Sequence, residues 1–143
     1  MNKNESQNVV KSSSAASCQS CQGPKKFDLE ERLIRLAVQI VRNADAFPDT
    51  KSGRIVSDQL IRSGTSSALN YGEAQSAESK RDFVHKLKIV LKELRESPVA
   101  LKIACELGFL DDLADSSRIL NECDQLIAIF VKSIQTASKK NTT

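Results

Sequence analysis

"RSGTSSALNYGEA", Arg62 to Ala74, holds two glycines, three serines, a threonine and an asparagine, the chemistry of a loop. It nevertheless lies between segments of strong helical periodicity and contains no proline that would break a helix. Placed on a helix, its small residues fall into order. Gly64, Ala68 and Gly72 are spaced by four and form one ridge, and small side chains on a ridge let a neighbouring backbone come close. Beside them Gln59, Arg62, Ser66, Asn70 and Glu73 follow at spacings of three, four, four and three. This is a polar row, and its donors and acceptors need partners wherever another helix or a second subunit covers it. The stretch therefore reads as helix interior, within an element running from near Ser52 to about Ala74. Each interior glycine costs that helix ~1 kcal/mol relative to alanine.

The flanking sequence supplies three more helices. Asp28 with Glu31 three residues on is a capping-box start, and Leu29, Leu33, Leu36, Ile40 and Ala44 form the apolar stripe that follows, ended by Pro48. Ser79 caps a third helix whose core stripe is Phe83, Leu87, Val90, Leu94 and Leu101. Pro98 falls inside that pattern and predicts a kink or a break, and Gly108 predicts its C′ residue. A fourth helix spans Asp111 or Asp112 to about Ser138. It has two apolar stripes: Leu113, Leu120, Ile127 and Ile134 on one, Ile119, Cys123, Leu126 and Phe130 on the other. The second stripe suits a subunit interface or a wide core face.

Short connections make successive helices antiparallel neighbours. The expected fold is all-α, an antiparallel up-down-up-down four-helix bundle over residues 28–138. A flexible Ser/Gln/Lys-rich tail over 1–27 precedes it, and a flexible C-terminus over 139–143 follows. Composition agrees, with 40% hydrophobic, 27% charged and only 4% aromatic residues in 143. The net charge of +3 resides in residues 1–27, so basic and acidic groups balance in the rest of the chain. Any case for an anionic partner must therefore rest on where the charges stand. The N-terminus has no apolar segment of the secretory kind, and "LIAIFV", Leu126 to Val131, is too short to span a bilayer. With four cysteines and no such signal, the expectation is a cytoplasmic protein with reduced thiols.

Gln59, Leu60, Arg62, Ser63, Ser66, Asn70, Glu73 and Ala74, followed by Phe83, Lys86, Leu87, Lys92, Glu93 and Glu96, carry a resemblance. The segment from Gln59 to Ser97 resembles the four-helix-bundle family encoded within intervening sequences of bacterial 23S ribosomal RNA genes. The likeness extends more weakly over residues 28–137. It departs from the family at Pro98, where an aromatic-rich continuation is more usual. The resemblance implies a homopentameric bundle. It also implies kinship with the accessory variability determinant proteins of diversity-generating retroelements, which bind nucleic acid and a reverse transcriptase. The expected partners are accordingly copies of the chain itself, RNA or DNA, and a reverse transcriptase or ribosomal RNA context.

The sharpest functional pattern lies on the third helix. Arg81, His85, Lys88, Lys92, Arg95 and Lys102 follow helical spacing, interrupted by Val99. Arg81 stands about 200° around the helix from Phe83, so the row faces away from the core. A row of one sign on an exposed face tracks phosphates, or simply solvates a helix. Arg32, Arg35, Gln39 and Arg42 offer a shorter companion on the first helix. An active site built on Arg62 and Glu73 is disfavoured, because the two are ~16 Å apart along the axis and no nucleophile with a matched base accompanies them. Cys18 and Cys21 form half of a zinc site at most, and His85 is the single histidine. The expectation is a non-enzymatic oligomeric scaffold or adaptor without metal or cofactor, contacting RNA or DNA through the third helix. The alternative is an assembly module that binds protein alone.

Overall fold

A computed structural model describes residues 28–139, and within them four helices form an antiparallel bundle with no strand. The helices are α1 (Leu29–Ala44), α2 (Lys51–Gln75), α3 (Lys80–Glu106) and α4 (Leu113–Ser138). The expected tail over 1–27, with Cys18 and Cys21, lies outside the described residues, as do residues 140–143.

Each helix begins on a side chain that accepts one of its unpaired N–H groups. Asp28 accepts from Glu31, Thr50 from Gly53, Ser79 from Asp82, and Asp112 from both Ala114 and Asp115. At the end of α3, Gly108 takes φ +69°. Its N–H donates to the Cys105 carbonyl, and that of Phe109 to the Ala104 carbonyl, both at 3.0 Å. This pair of bonds is a Schellman motif, which needs the left-handed residue that glycine supplies without penalty. Helix α3 is continuous through Pro98, which is buried in it, so no break occurs there.

Leu33, Leu36 and Ile40 of α1, Leu87, Val90, Leu94 and Leu101 of α3, and Ile119, Leu126 and Phe130 of α4 fill the core. Helix α2 adds only one large, fully buried side chain, Leu60. The rest of its buried face is Gly53, Ser63, Gly64, Ser67 and Ala74. Volume is thus supplied by three helices and close approach by the fourth. A Cβ placed on Gly64 would stand 2.8 Å from Ile40 Cδ1 and 3.0 Å from its Cγ2, so α1 packs against bare backbone there. Ala68 continues that ridge half-buried against the core, and at Gly72 the nearest atom to an added Cβ is a Glu30 carboxylate oxygen 4.0 Å away. In α4, Ile119, Cys123, Leu126 and Phe130 are buried, while Leu120, Ile127 and Ile134 lean partly buried on the same core. Leu113 is exposed. The second stripe therefore widens the core face along most of its length.

The α1–α2 and α3–α4 loops meet at one end of the bundle, where the Phe47 and Phe109 rings lie 5.7 Å apart. The α1–α4 seam closes the bundle through polar contacts. Arg32 grips the Glu122 carboxylate from Nε and Nη2 at 2.7 and 3.0 Å, and Asn43 donates to Asp115 at 3.1 Å.

Candidate nucleic-acid interface

Helix α3 carries two polar faces. One is turned toward α2, and its groups are paired. Ser63 and Ser97 place their hydroxyls 2.9 Å apart in the buried interface. Whichever donates across the gap, the other can donate to a carbonyl of its own helix, Ser63 to Leu60 or Ser97 to Glu93. Gln59 donates to Glu96 at 3.2 Å, and Arg62 reaches the same oxygen at 3.3 Å. Glu93 is buried, its Oε2 without a hydrogen bond among the described residues, and Arg62 Nη1 stands 3.9 Å from that oxygen. Farther along, Lys86 bonds Glu73, and that hydrogen bond holds the Lys86 ammonium above its ordinary pKa. Within the polar row of α2, then, Gln59, Arg62 and Glu73 reach α3. Asn70 instead donates back to the Ser66 carbonyl at 2.9 Å. Arg62 and Glu73 engage different residues of α3 and do not converge on a common point.

The other face points to solvent. Arg81, His85, Lys88, Lys92, Arg95 and Lys102 are all exposed, opposite the buried Leu87, Val90, Leu94 and Leu101. From Arg81 to Lys102 the row spans about 32 Å at 1.5 Å per residue. It is not uniform. Lys92 lies 3.3 Å from Glu96 and 3.8 Å from Glu93, so its charge is largely compensated. The remaining five make no ion pair among the described residues. Val99 and Ile103, 57% and 48% exposed, interrupt the C-terminal half with apolar surface.

Two shallow hollows line this face. One of about 590 Å³ sits where the start of α3 meets the end of α4, among Lys80, Arg81, His85 and Lys88. The other, about 530 Å³, has Leu91, Val99 and Ile103 on its floor and Lys88, Lys92 and Arg95 on its rim.

The shorter row on α1 is largely consumed internally. Arg32 is bound to Glu122, a hydrogen bond that raises its pKa, and Arg35 to Glu31 in the preceding turn. Glu122 of α4 thus serves α1, and of the α3 row only Lys92 has a carboxylate partner among the described residues.

Among the described residues, no group of three or more His, Cys, Asp and Glu side chains is placed to hold a metal ion. Burial pushes the Cys123 thiol up to about 12, so it is a core thiol with little thiolate at neutral pH. Among the described residues no helix is long and apolar enough to cross a membrane.

Five structural positions escape a reading by periodicity. Ser63 and Ser97 looked like ordinary small residues, and nothing local says that two hydroxyls will meet. Glu93 belongs to an exposed-looking charge pattern but falls on the α2 side. Gly53 is more severe: a Cβ there would stand 1.9 Å from the Pro48 carbonyl oxygen, so the first turn of α2 folds directly onto the preceding loop. Lys80 is one residue out of step with the basic row and joins it only because its Nζ swings to the Lys139 carbonyl, 2.9 Å away.

Comparison with known proteins agrees with this architecture. No curated protein matches the chain. A crystal structure of a protein of unknown function from Bacteroides thetaiotaomicron, assigned to the S23 ribosomal protein family, superposes with a TM-score of 0.67 at 28% identity. The match covers 73% of this chain and 96% of that one. Residues 25–132 match the family described as 23S rRNA-intervening sequence protein. The chain belongs to the 23S rRNA-intervening sequence protein family.

Proposed function

We propose that this protein is a non-enzymatic, homo-oligomeric scaffold or adaptor that contacts RNA or DNA through the outer face of α3. The observation carrying this reading is the contrast on that helix: its inner polar groups are paired, while five of six outer basic side chains have no carboxylate partner among the described residues. Such a row along ~32 Å of continuous helix suits successive phosphates. No aromatic ring is exposed among the described residues, so there is no platform for stacking unpaired bases. The contact chemistry is therefore with backbone phosphates, without base readout. A pentameric assembly, as the family likeness implies, would repeat the row on each subunit, and a reverse transcriptase or ribosomal RNA context fits the same chemistry.

The test is binding of duplex DNA and structured RNA at several salt concentrations. Lys88→Glu combined with Lys92→Glu is expected to weaken both by at least tenfold at low salt. Unchanged affinity removes the phosphate reading. A second reading, assembly through protein contacts alone, draws on exposed Val99 and Ile103 and on the neutralised Lys92. Under it, the charge reversals leave sedimentation and nucleic-acid affinity alike unaltered, whereas Val99→Asp with Ile103→Asp dissociates the oligomer.

A further inference from the structure

The two hollows on the α3 face differ in chemistry. The one at the bundle end gathers Lys80, Arg81, His85 and Lys88 with Val84, Ala137 and Ser138, and among the described residues no carboxylate lines it. Its volume of about 590 Å³ falls in the range of small-ligand sites, ~300–1,000 Å³. Arg81, His85 and Lys88 make no ion pair among the described residues. Lys80 is held by the Lys139 carbonyl, so a cation covers the negative end of α4 and shields the hollow from its dipole. The placement also runs against local helix stability. Acidic side chains are favoured in a first turn, and α1 and α4 supply them as Glu30, Glu31 and Asp115. Helix α3 opens with Lys80 and Arg81 ahead of Asp82, the acidic residue of its first turn, and Asp82 does not line the hollow.

Convergence distinguishes this hollow from the rest of the row. Farther along α3, Arg95 and Lys102 stand two turns apart, a spacing that meets diester phosphates singly. Around the hollow, four basic side chains line one space within about two turns of α3, with Lys80 Nζ turned to the Lys139 carbonyl. A phosphomonoester carries close to two charges and three acceptor oxygens, against the single charge of a diester. The hollow also lies at the end of the row, at the edge of the bundle.

We infer that the hollow bounded by Lys80, Arg81, His85 and Lys88 is a receptor for a terminal phosphomonoester, the 5′-phosphate of a nucleic-acid strand whose following diesters run along the outer face of α3. This inference rests on the proposed nucleic-acid reading for its ligand, while the hollow as a phosphate site stands on its own geometry.

The experiment compares blunt duplexes of one sequence carrying a 5′-phosphate or a 5′-hydroxyl, by fluorescence anisotropy with the full chain. The 5′-phosphorylated duplex is expected to bind at least fivefold more tightly, and Lys80→Ala and His85→Ala each to bring that ratio below twofold. Equal binding of the two duplexes overturns the inference and leaves the backbone reading standing. In parallel, pyrophosphate is titrated and followed by the NMR signals of His85, which are unambiguous because it is the only histidine. A saturable shift that disappears in Lys80→Ala is expected. If neither duplex binds but pyrophosphate still shifts His85, the nucleic-acid reading fails and the phosphate receptor stands. If pyrophosphate leaves His85 unmoved, the receptor itself is refuted.

Discussion

Helix α3 shows the same residue types in two settings, and the contrast between its inner and outer polar faces organises the molecule. Facing α2, Ser97 meets Ser63, Glu96 meets Gln59 and Arg62, and Lys86 meets Glu73. Facing solvent, Arg81, His85, Lys88, Arg95 and Lys102 meet no carboxylate among the described residues. Burial explains the Ser63–Ser97 pair, since a buried polar group without a partner costs about 1–3 kcal/mol. The Arg62–Glu96 and Lys86–Glu73 pairs tie the exposed edge of the same α2–α3 seam. Neither role applies to the second set. Charges of one sign that the fold neither pairs nor needs are the ones free to meet something outside it.

If the inner face is structural, its disruption should cost stability. The largest change in the molecule is expected off that face, at Gly53→Ala, where the new Cβ meets the Pro48 carbonyl oxygen rather than a movable side-chain tip. A loss of about 2–3 kcal/mol in urea unfolding is expected, typical of overpacking. A change under half a kilocalorie would mean that the loop yields freely. Next comes Ser63→Ala, expected to cost about 0.5–1.5 kcal/mol by removing the hydrogen bond to Ser97, which keeps its donation to the Glu93 carbonyl. The double change Ser63→Ala with Ser97→Ala should cost less than the sum of the two single changes, and strict additivity would show that the hydroxyls do not interact. Smaller, and opposite in sign, is Gly72→Ala. Because the nearest atom to its Cβ is 4.0 Å away, the helix-propensity gain of up to ~1 kcal/mol should appear as a higher midpoint.

Those substitutions also mark where the sequence was legible. The four helices, the caps Asp28, Ser79 and Asp112 and the C′ role of Gly108 follow from rules that act within a turn or two, and the structure has them there. Helix α2 starts at Lys51 on a Thr50 cap that lies outside the sequence-based expectation. The run from Arg62 to Ala74 is helix interior. Its small residues, however, are not equivalent, because Gly64 lies under Ile40 while Gly72 lies in open space. Spacing assigns a residue to a face, and only the crossing of a second helix decides which residue on that face is approached. The same limit hid the Ser63–Ser97 pair and the burial of Glu93, which depend on the α2–α3 register. Pro98 reads as a kink or a break from local chemistry, and the structure excludes the break: α3 continues through it, with residues on both sides held in the core. For the basic row, spacing supplied the face. The neutralisation of Lys92 by Glu96 is an i,i+4 pair within α3 and follows from spacing, whereas the bond from Lys80 to the Lys139 carbonyl is a tertiary fact, fixed by the end of α4.

Substitutions on the outer face should leave the fold nearly untouched, with Lys88→Ala changing stability by no more than about 0.5 kcal/mol. Their effect belongs to binding. The most direct test of the unpaired face is the slope of log affinity for duplex DNA against log salt concentration, measured for the unaltered protein, Lys88→Ala and Arg95→Ala. Each phosphate contact released lowers the magnitude of that slope by about one, so both variants should show a shallower line and weaker binding at low salt. Slopes and affinities identical to those of the unaltered protein would contradict the assignment of this face to phosphate contact.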